Sequence, residues 1–145
     1  MAKATQDMRV WPRPQEMKLA GKGPSLAAGF ALAASGRASW LDCEIVRVAD
    51  VLNNAAGKRI IKPAGAPLTL MSMDALPREF KSVRKPEGSV LLITAREIIL
   101  AGGDARGLYY GAQTLARLIE NAVADKQPRL PGAVIRDWPR FPMRG

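Results

Sequence analysis

Histidine is absent from the 145 residues. That absence removes Ser-His-Asp and Cys-His nucleophile systems, histidine acid–base work and the HExxH zinc motif. Cysteine occurs once, at Cys43, so no internal disulfide forms and a zinc site lacks its usual ligands. Cys43 falls within a predicted helix, and with no histidine to activate it the residue reads as a packing or surface thiol. Carboxylates remain as catalysts, but the 13 Asp and Glu are scattered and form no recognisable pair. The composition therefore supplies no catalytic residue, no metal ligand set and no cofactor motif. No apolar run approaches the roughly 20 residues of a membrane span. Met1–Thr5 has no apolar h-region, so no signal peptide is read at the start.

The chain has the length of one domain, or of part of a larger protein. At this size about 68–70% of the unfolded surface is buried on folding, enough for a core without staples. Apolar residues make up 48% of the sequence, which excludes wholesale disorder. The net charge of +9 suggests a nucleic-acid or anionic-surface binder, or a basic solvated face matched to an acidic partner. The 22 Lys and Arg are spread without a basic run, and the three Trp and two Tyr do not interleave with them. That pattern argues against a nucleic-acid stacking platform.

The strongest pattern lies between Ser89 and Asn121. Val90–Ile93 and Ile98–Leu100 are two apolar runs separated by a turn at Ala95-Arg96, the pattern of an antiparallel hairpin. Ala101-Gly102-Gly103 is expected to break the second strand, and Asp104 to cap a helix. Leu108, Ala112, Leu115 and Ile119 then recur on one helical face. Gly107 and Gly111 lie beside that face. Each costs about 1 kcal/mol relative to alanine, which suggests close backbone approach to a neighbour.

Residues 1–10 read as a lead-in, and the prolines of Trp11-Pro12-Arg13-Pro14 force extended geometry. Met17-Lys18-Leu19 is a strand candidate, followed by a turn at Gly21-Lys22-Gly23-Pro24. Phe30–Ala34 is a second extended segment, with Phe30, Leu32 and Ala34 on one face, and the two segments are expected to pair as a meander. A helix is predicted from about Ser39 to Ala56 on the repeat of Leu41, Ile45, Val48 and Leu52, with Asp42 and Glu44 favouring its first turn and Gly57 at C′. Ile60-Ile61 and Leu68–Met73 are strand candidates, with Met71 and Met73 as core fillers. Asp74–Glu87 and Ala124–Pro131 read as loops, and Ala133-Val134-Ile135 as a last strand. The order ββ-α-ββ-ββ-α-β predicts an α+β fold, a mainly antiparallel sheet with two amphipathic helices on one face.

Three stretches carry a resemblance. Trp11-Pro12-Arg13-Pro14 with Met17-Lys18-Leu19 looks like the Pro-x-Pro opening of the non-catalytic N-terminal domain of family 20 glycoside hydrolases. Ala105-Arg106-Gly107-Leu108-Tyr109-Tyr110-Gly111-Ala112-Gln113-Thr114-Leu115 closely resembles that domain's Gly-[Leu/Phe]-[Phe/Tyr]-Tyr-Gly-x-Gln-Thr-Leu helix. Asp137-Trp138-Pro139-Arg140-Phe141-Pro142-Met143-Arg144-Gly145 resembles the Asp-x-Pro-Arg-Phe-x-x-Arg-Gly segment entering the catalytic barrel. Met143 departs from the aromatic residue or histidine often found there.

The resemblance implies domain bounds: 1–10 lead-in, 11–136 accessory domain, 137–145 linker and start of a (β/α)8 barrel. It implies a β-N-acetylhexosaminidase parent, a hydrolase whose Asp-Glu pair belongs to the barrel, so this chain alone is not expected to be active. In that chemistry the Glu protonates the leaving oxygen and the substrate's own 2-acetamido group attacks, oriented by the Asp. The implied partners are the barrel and, through it, an N-acetylhexosamine-bearing glycan. The one substrate-binding residue implied here is Arg144, matching the family arginine that holds hydroxyls of the terminal sugar. Tyr109 and Tyr110 read as packing residues, Asp137 as a turn or linker contact, and Trp138 and Phe141 as packing at the domain–barrel junction. The family arrangement places both helices between sheet and barrel, which predicts an apolar outer helix surface in the isolated chain. The alternatives are an accessory domain of another glycosidase class, such as O-GlcNAc-type hexosaminidases or α-glucuronidases, or a free-standing basic binding module.

Overall fold

The computed structural model describes residues 16–36, 40–72 and 88–137. Six strands and two helices follow one another: β1 (Glu16–Ser25), β2 (Phe30–Ser35), α1 (Trp40–Ala56), β3 (Ala66–Ser72), β4 (Ser89–Ile93), β5 (Ile98–Gly102), α2 (Ala105–Ala124) and β6 (Arg129–Asp137). They form a single six-stranded sheet of order β1-β6-β4-β5-β3-β2. The β1–β6, β6–β4 and β4–β5 pairs are antiparallel, and β5–β3 and β3–β2 are parallel. The fold is thus α+β with a mainly antiparallel sheet.

The topology explains why both helices share a face. Parallel neighbours need a crossover, and α1 supplies it between β2 and β3. Strands β5 and β6 flank β4 and each pairs with it antiparallel, so they too run the same way, and α2 is their crossover. Both crossovers step in the same direction across the sheet from strands of the same sense. A common handedness then puts both helices on one side.

Register builds the core beneath them. Leu32, Leu68, Ile98, Ile93, Ala133 and Leu19 form one cross-strand row, and Ala34, Leu70, Leu100, Leu91, Ile135 and Met17 the next. Leu41, Val48 and Leu52 of α1 and Leu108, Leu115 and Ile119 of α2 complete the same buried cluster. Each fully buried aliphatic side chain contributes about 1.5–3 kcal/mol relative to exposure. The opposite sheet face holds a smaller cluster of Val90 and Ala101 with half-buried Met71, Leu92 and Ile99. Central strands β4 and β5 are apolar on both faces, which is why their sequences read as unbroken apolar runs.

Several expectations are corrected. Gly21-Lys22-Gly23-Pro24 is not a turn but part of β1. Gly21 takes φ 72° and the register shifts between Leu19 and Lys22, so the strand bulges instead of reversing. The expected meander does not form, because β1 and β2 lie at opposite edges of the sheet. Ile60-Ile61 makes only an isolated parallel bridge to Phe30. The strand β6 begins at Arg129, four residues before Ala133, and takes in Leu130-Pro131-Gly132. Ala101 and Gly102 belong to β5 and do not break it. The readings for Trp11–Pro14, Met73, Asp74–Glu87, Trp138 and Phe141 lie outside the described residues.

Candidate functional site

The motif of α2 is seated by three contacts that begin with its cap. Asp104 Oδ1 accepts from Gly107 N at 2.7 Å, with extended backbone at the cap (φ −154°, ψ −175°). Leu108 N donates to Asp104 O at 3.0 Å and closes the first turn. A cap of this kind stabilises by about 1 kcal/mol. Gly102, at the end of β5, comes next: a Cβ there would lie 2.5 Å from Leu108 N and 2.8 Å from Asp104 O. The helix therefore starts directly against the strand that precedes it. Gly111 lies one turn further, where a Cβ would meet Leu100 Cδ1 at 2.5 Å and Ser89 Cβ at 3.1 Å. The glycine offsets its helix cost by bringing α2 down onto β4 and β5.

Tyr109 of the motif meets α1 at the junction of the two helices. Tyr109 and Tyr110 are half-buried, with ring centroids 6.4 Å apart at 48°. The Arg47 guanidinium of α1 lies 5.1 Å from the Tyr109 centroid. It also pairs with Glu44 Oε1 at 3.5 Å within α1. Cation–π stabilisation at such a half-exposed position is about 0.5–1 kcal/mol. Glu44 is 6% exposed, and Oε1 has the Arg47 charge beside it but no hydrogen bond. Its role is thus a charge contact within α1 to the arginine that reaches Tyr109, not only the helix-dipole partner expected from its position. The signal was present: Glu44 is three residues after Leu41 and four before Val48, within the apolar stripe.

The outer surface of the helix layer is mixed, not apolar. Val46, at 67%, and Val123, at 43%, are the exposed large hydrophobics among the described residues. Around them stand Cys43, Asp50, Gln113, Arg117 and Glu120, with Arg117 Nη1 bonded to Glu120 Oε1 at 2.8 Å. The predicted apolar surface is corrected accordingly. Contacts between domains of one chain are commonly more polar than obligate interfaces, so the docking surface need not be greasy.

No catalytic constellation is assembled among the described residues. No group of three or more Cys, Asp and Glu comes together there as a metal site. No described helix is long and apolar enough to cross a membrane. Cys43 is an exposed thiol on α1. Asp137 is half-buried at the end of β6, opposite Ser89. Arg144 lies outside the described residues. What the geometry offers is a rigid layer: a capped helix locked to its strand, clamped to its neighbour by Arg47 and Tyr109.

Comparison with known proteins places that layer. Residues 7–138 match the family described as glycosyl hydrolase family 20, domain 2. The GH20 β-N-acetylhexosaminidase from Streptomyces coelicolor A3(2) superposes with a TM-score of 0.67 at 24% identity, over 94% of this chain and 27% of that one. CpGH84B gives a TM-score of 0.66 at 23% identity, over 95% and 24%. The β-N-acetylhexosaminidase from Bacteroides fragilis NCTC 9343 gives 0.62 at 18% identity, over 90% and 25%. The chain thus spans about a quarter of the length of these structures.

Proposed function

The chain belongs to the domain 2 family of family 20 glycosyl hydrolases, and from that membership we propose that it is the N-terminal accessory domain of a β-N-acetylhexosaminidase, without activity alone. The observation that carries the reading is the family match across residues 7–138, which includes the capped, glycine-seated helix. The accessory domain runs from residue 11 to 136, and residues 137–145 lead into a catalytic (β/α)8 barrel. The helix layer supports that barrel. The parent hydrolyses terminal N-acetylhexosamine from glycans, with the substrate's acetamido group as nucleophile and a barrel Asp-Glu pair as orienting group and acid.

Arg144 reaches the sugar in this reading. A guanidinium carries five donors in a rigid fork, which matches two adjacent hydroxyl oxygens. Nucleic acid is not among its partners.

The reading predicts that the pure 145-residue chain leaves an aryl N-acetyl-β-glucosaminide untouched. Release of the aryl alcohol would be followed across chromatographic fractions. Turnover that tracks with the chain would overturn the placement of the catalytic pair in the barrel.

A further inference from the structure

The two edges of the sheet are built differently. The β1 edge is guarded: Gly21 bulges it, Lys18 and Lys22 stand exposed along it, and Pro24 has no N–H to donate. The β2 edge carries none of these devices. No charged residue or proline lies between Phe30 and Gly36, and β2 pairs with β3 without a register shift.

Hydrogen bonds show which groups β2 leaves open. Gly29 O accepts from Ala66 N on the β3 side, whereas Phe30 N donates to Ile60 O and Phe30 O accepts from Lys62 N on the outer side. These directions alternate along a strand, so the N–H and C=O of Leu32 and Ala34 point outward. No described strand pairs with them there. The Ile61 bridge to Phe30 closes one end of the open stretch, and the chain turns away at Gly36, φ 118°, at the other. What remains is the stretch Ala31–Ser35, centred on Ala33.

We propose that this edge pairs with the same edge of a second copy of the chain, antiparallel about a two-fold axis at Ala33. Leu32 of each copy then faces Ala34 of the other. Each such pair exchanges both of its N–H···O bonds, which satisfies every outward group of the open stretch. Ala33 faces its own counterpart in a non-hydrogen-bonded pair, where Cα atoms approach to about 4.5 Å. Its side chain is short and exposed, so nothing obstructs that approach.

The helix layer fits the same axis. Helix α1 packs over both β2 and β3, which sets it about 2.4 Å inboard of β2 at a strand spacing of about 4.8 Å. The two-fold then places the two α1 helices about 10 Å apart, a normal helix packing distance. Asn53 marks the flank of α1 turned to this edge, since its Oδ1 accepts from Ile60 N at 2.7 Å and Ile61 N at 3.1 Å. Val46 and Ala49 precede it at helical spacing on the same flank. Val46 is 67% exposed, and the second α1 covers it. The opposite flank, with Arg47, meets α2. Because the β1 edges are guarded, pairing goes no further and the assembly closes at two copies.

The test is sedimentation equilibrium of the full chain, with amide hydrogen exchange followed by NMR. A short strand pair with one helix contact is a small interface, so the mass should rise from 15.6 kDa towards twice that between about 1 µM and about 500 µM. Exchange at Leu32 and Ala34 should slow over that range. Exchange at Ala31 and Ala33, which face β3, should not change. Ala33→Lys puts like charges together at the axis and should weaken association on the order of tenfold or more. Val46→Asp, on the helix flank, should weaken it on the order of tenfold. Gln127→Lys, exposed just before β6, should leave it unchanged, with circular dichroism confirming that each variant folds. A monomer at every concentration, growth beyond two copies, unchanged exchange at Leu32 and Ala34, or equal association in the three variants would each overturn the proposal. None of these results bears on the hexosaminidase reading, which the glycoside assay tests separately.

Discussion

Gly102→Ala should lower the melting temperature by about 10 °C, from a loss of about 2–3 kcal/mol. The added methyl would sit 2.5 Å from Leu108 N, 2.8 Å from Leu108 Cα and 2.8 Å from Asp104 O. All three are backbone atoms of the first turn of α2, so no side-chain rotation relieves the contact. Either α2 lifts from β5 or the Asp104 cap opens. Lifting the helix strips contacts from Leu108, which is fully buried. Opening the cap loses the 2.7 Å bond to Gly107 N. Removing a glycine from the unfolded chain returns only about 0.4–1 kcal/mol. Gly57→Ala is the useful comparison: its φ is +70° but nothing lies within 4 Å of the added atom. That change should cost only about 1 kcal/mol, from backbone strain alone. A thermal or urea melt in which Gly102→Ala costs no more than Gly57→Ala would show that α2 is not held down at this point.

In the parent enzyme, Arg144→Ala should reduce kcat/KM on the order of a hundredfold. The proposed contact is two hydrogen bonds from a charged donor to neighbouring sugar hydroxyls, each contributing about 1.5 kcal/mol or more. Together they amount to about 3 kcal/mol, near two decades of rate. Arg144→Lys should recover little, because an ammonium cannot present two parallel donors in one plane. The melting temperature should stay where it was. A kcat/KM close to the unaltered enzyme's, with the fold intact, would remove Arg144 from the sugar site.

The parts of the fold that local rules govern were open to reading. The face of Leu108, Ala112, Leu115 and Ile119, the Asp104 cap and the Ile93–Ile98 hairpin all rest on residues within a few positions of one another. The C′ glycine after α1 does too, with Gly57 at φ 70°. What escaped depends on residues far apart in sequence. Nothing in Phe30–Ser35 says that it runs parallel to Ala66–Ser72, or that β1 will cross the molecule to pair with β6. Glycine and proline misled at both places where a strand was cut short. Gly21 bulges β1 where a turn was expected, and Pro131 sits inside β6 opposite Lys22. The Arg47–Tyr109 clamp joins two helices separated by three strands in sequence, so only the fold reveals it. Function was never in the composition. It came from the Ala105–Leu115 and Asp137–Gly145 motifs, and the structure supplies a physical reason for the first: its second glycine lets α2 touch Leu100 and Ser89.

The central claim is that this domain serves a hexosaminidase barrel, and the most direct test is the coding sequence that follows the Gly145 codon. The account predicts an open frame of about 250 residues or more, the usual size of a barrel. It should carry adjacent Asp and Glu codons after a strand-like apolar run. A stop codon at that point, or a following domain without that pair, would contradict it.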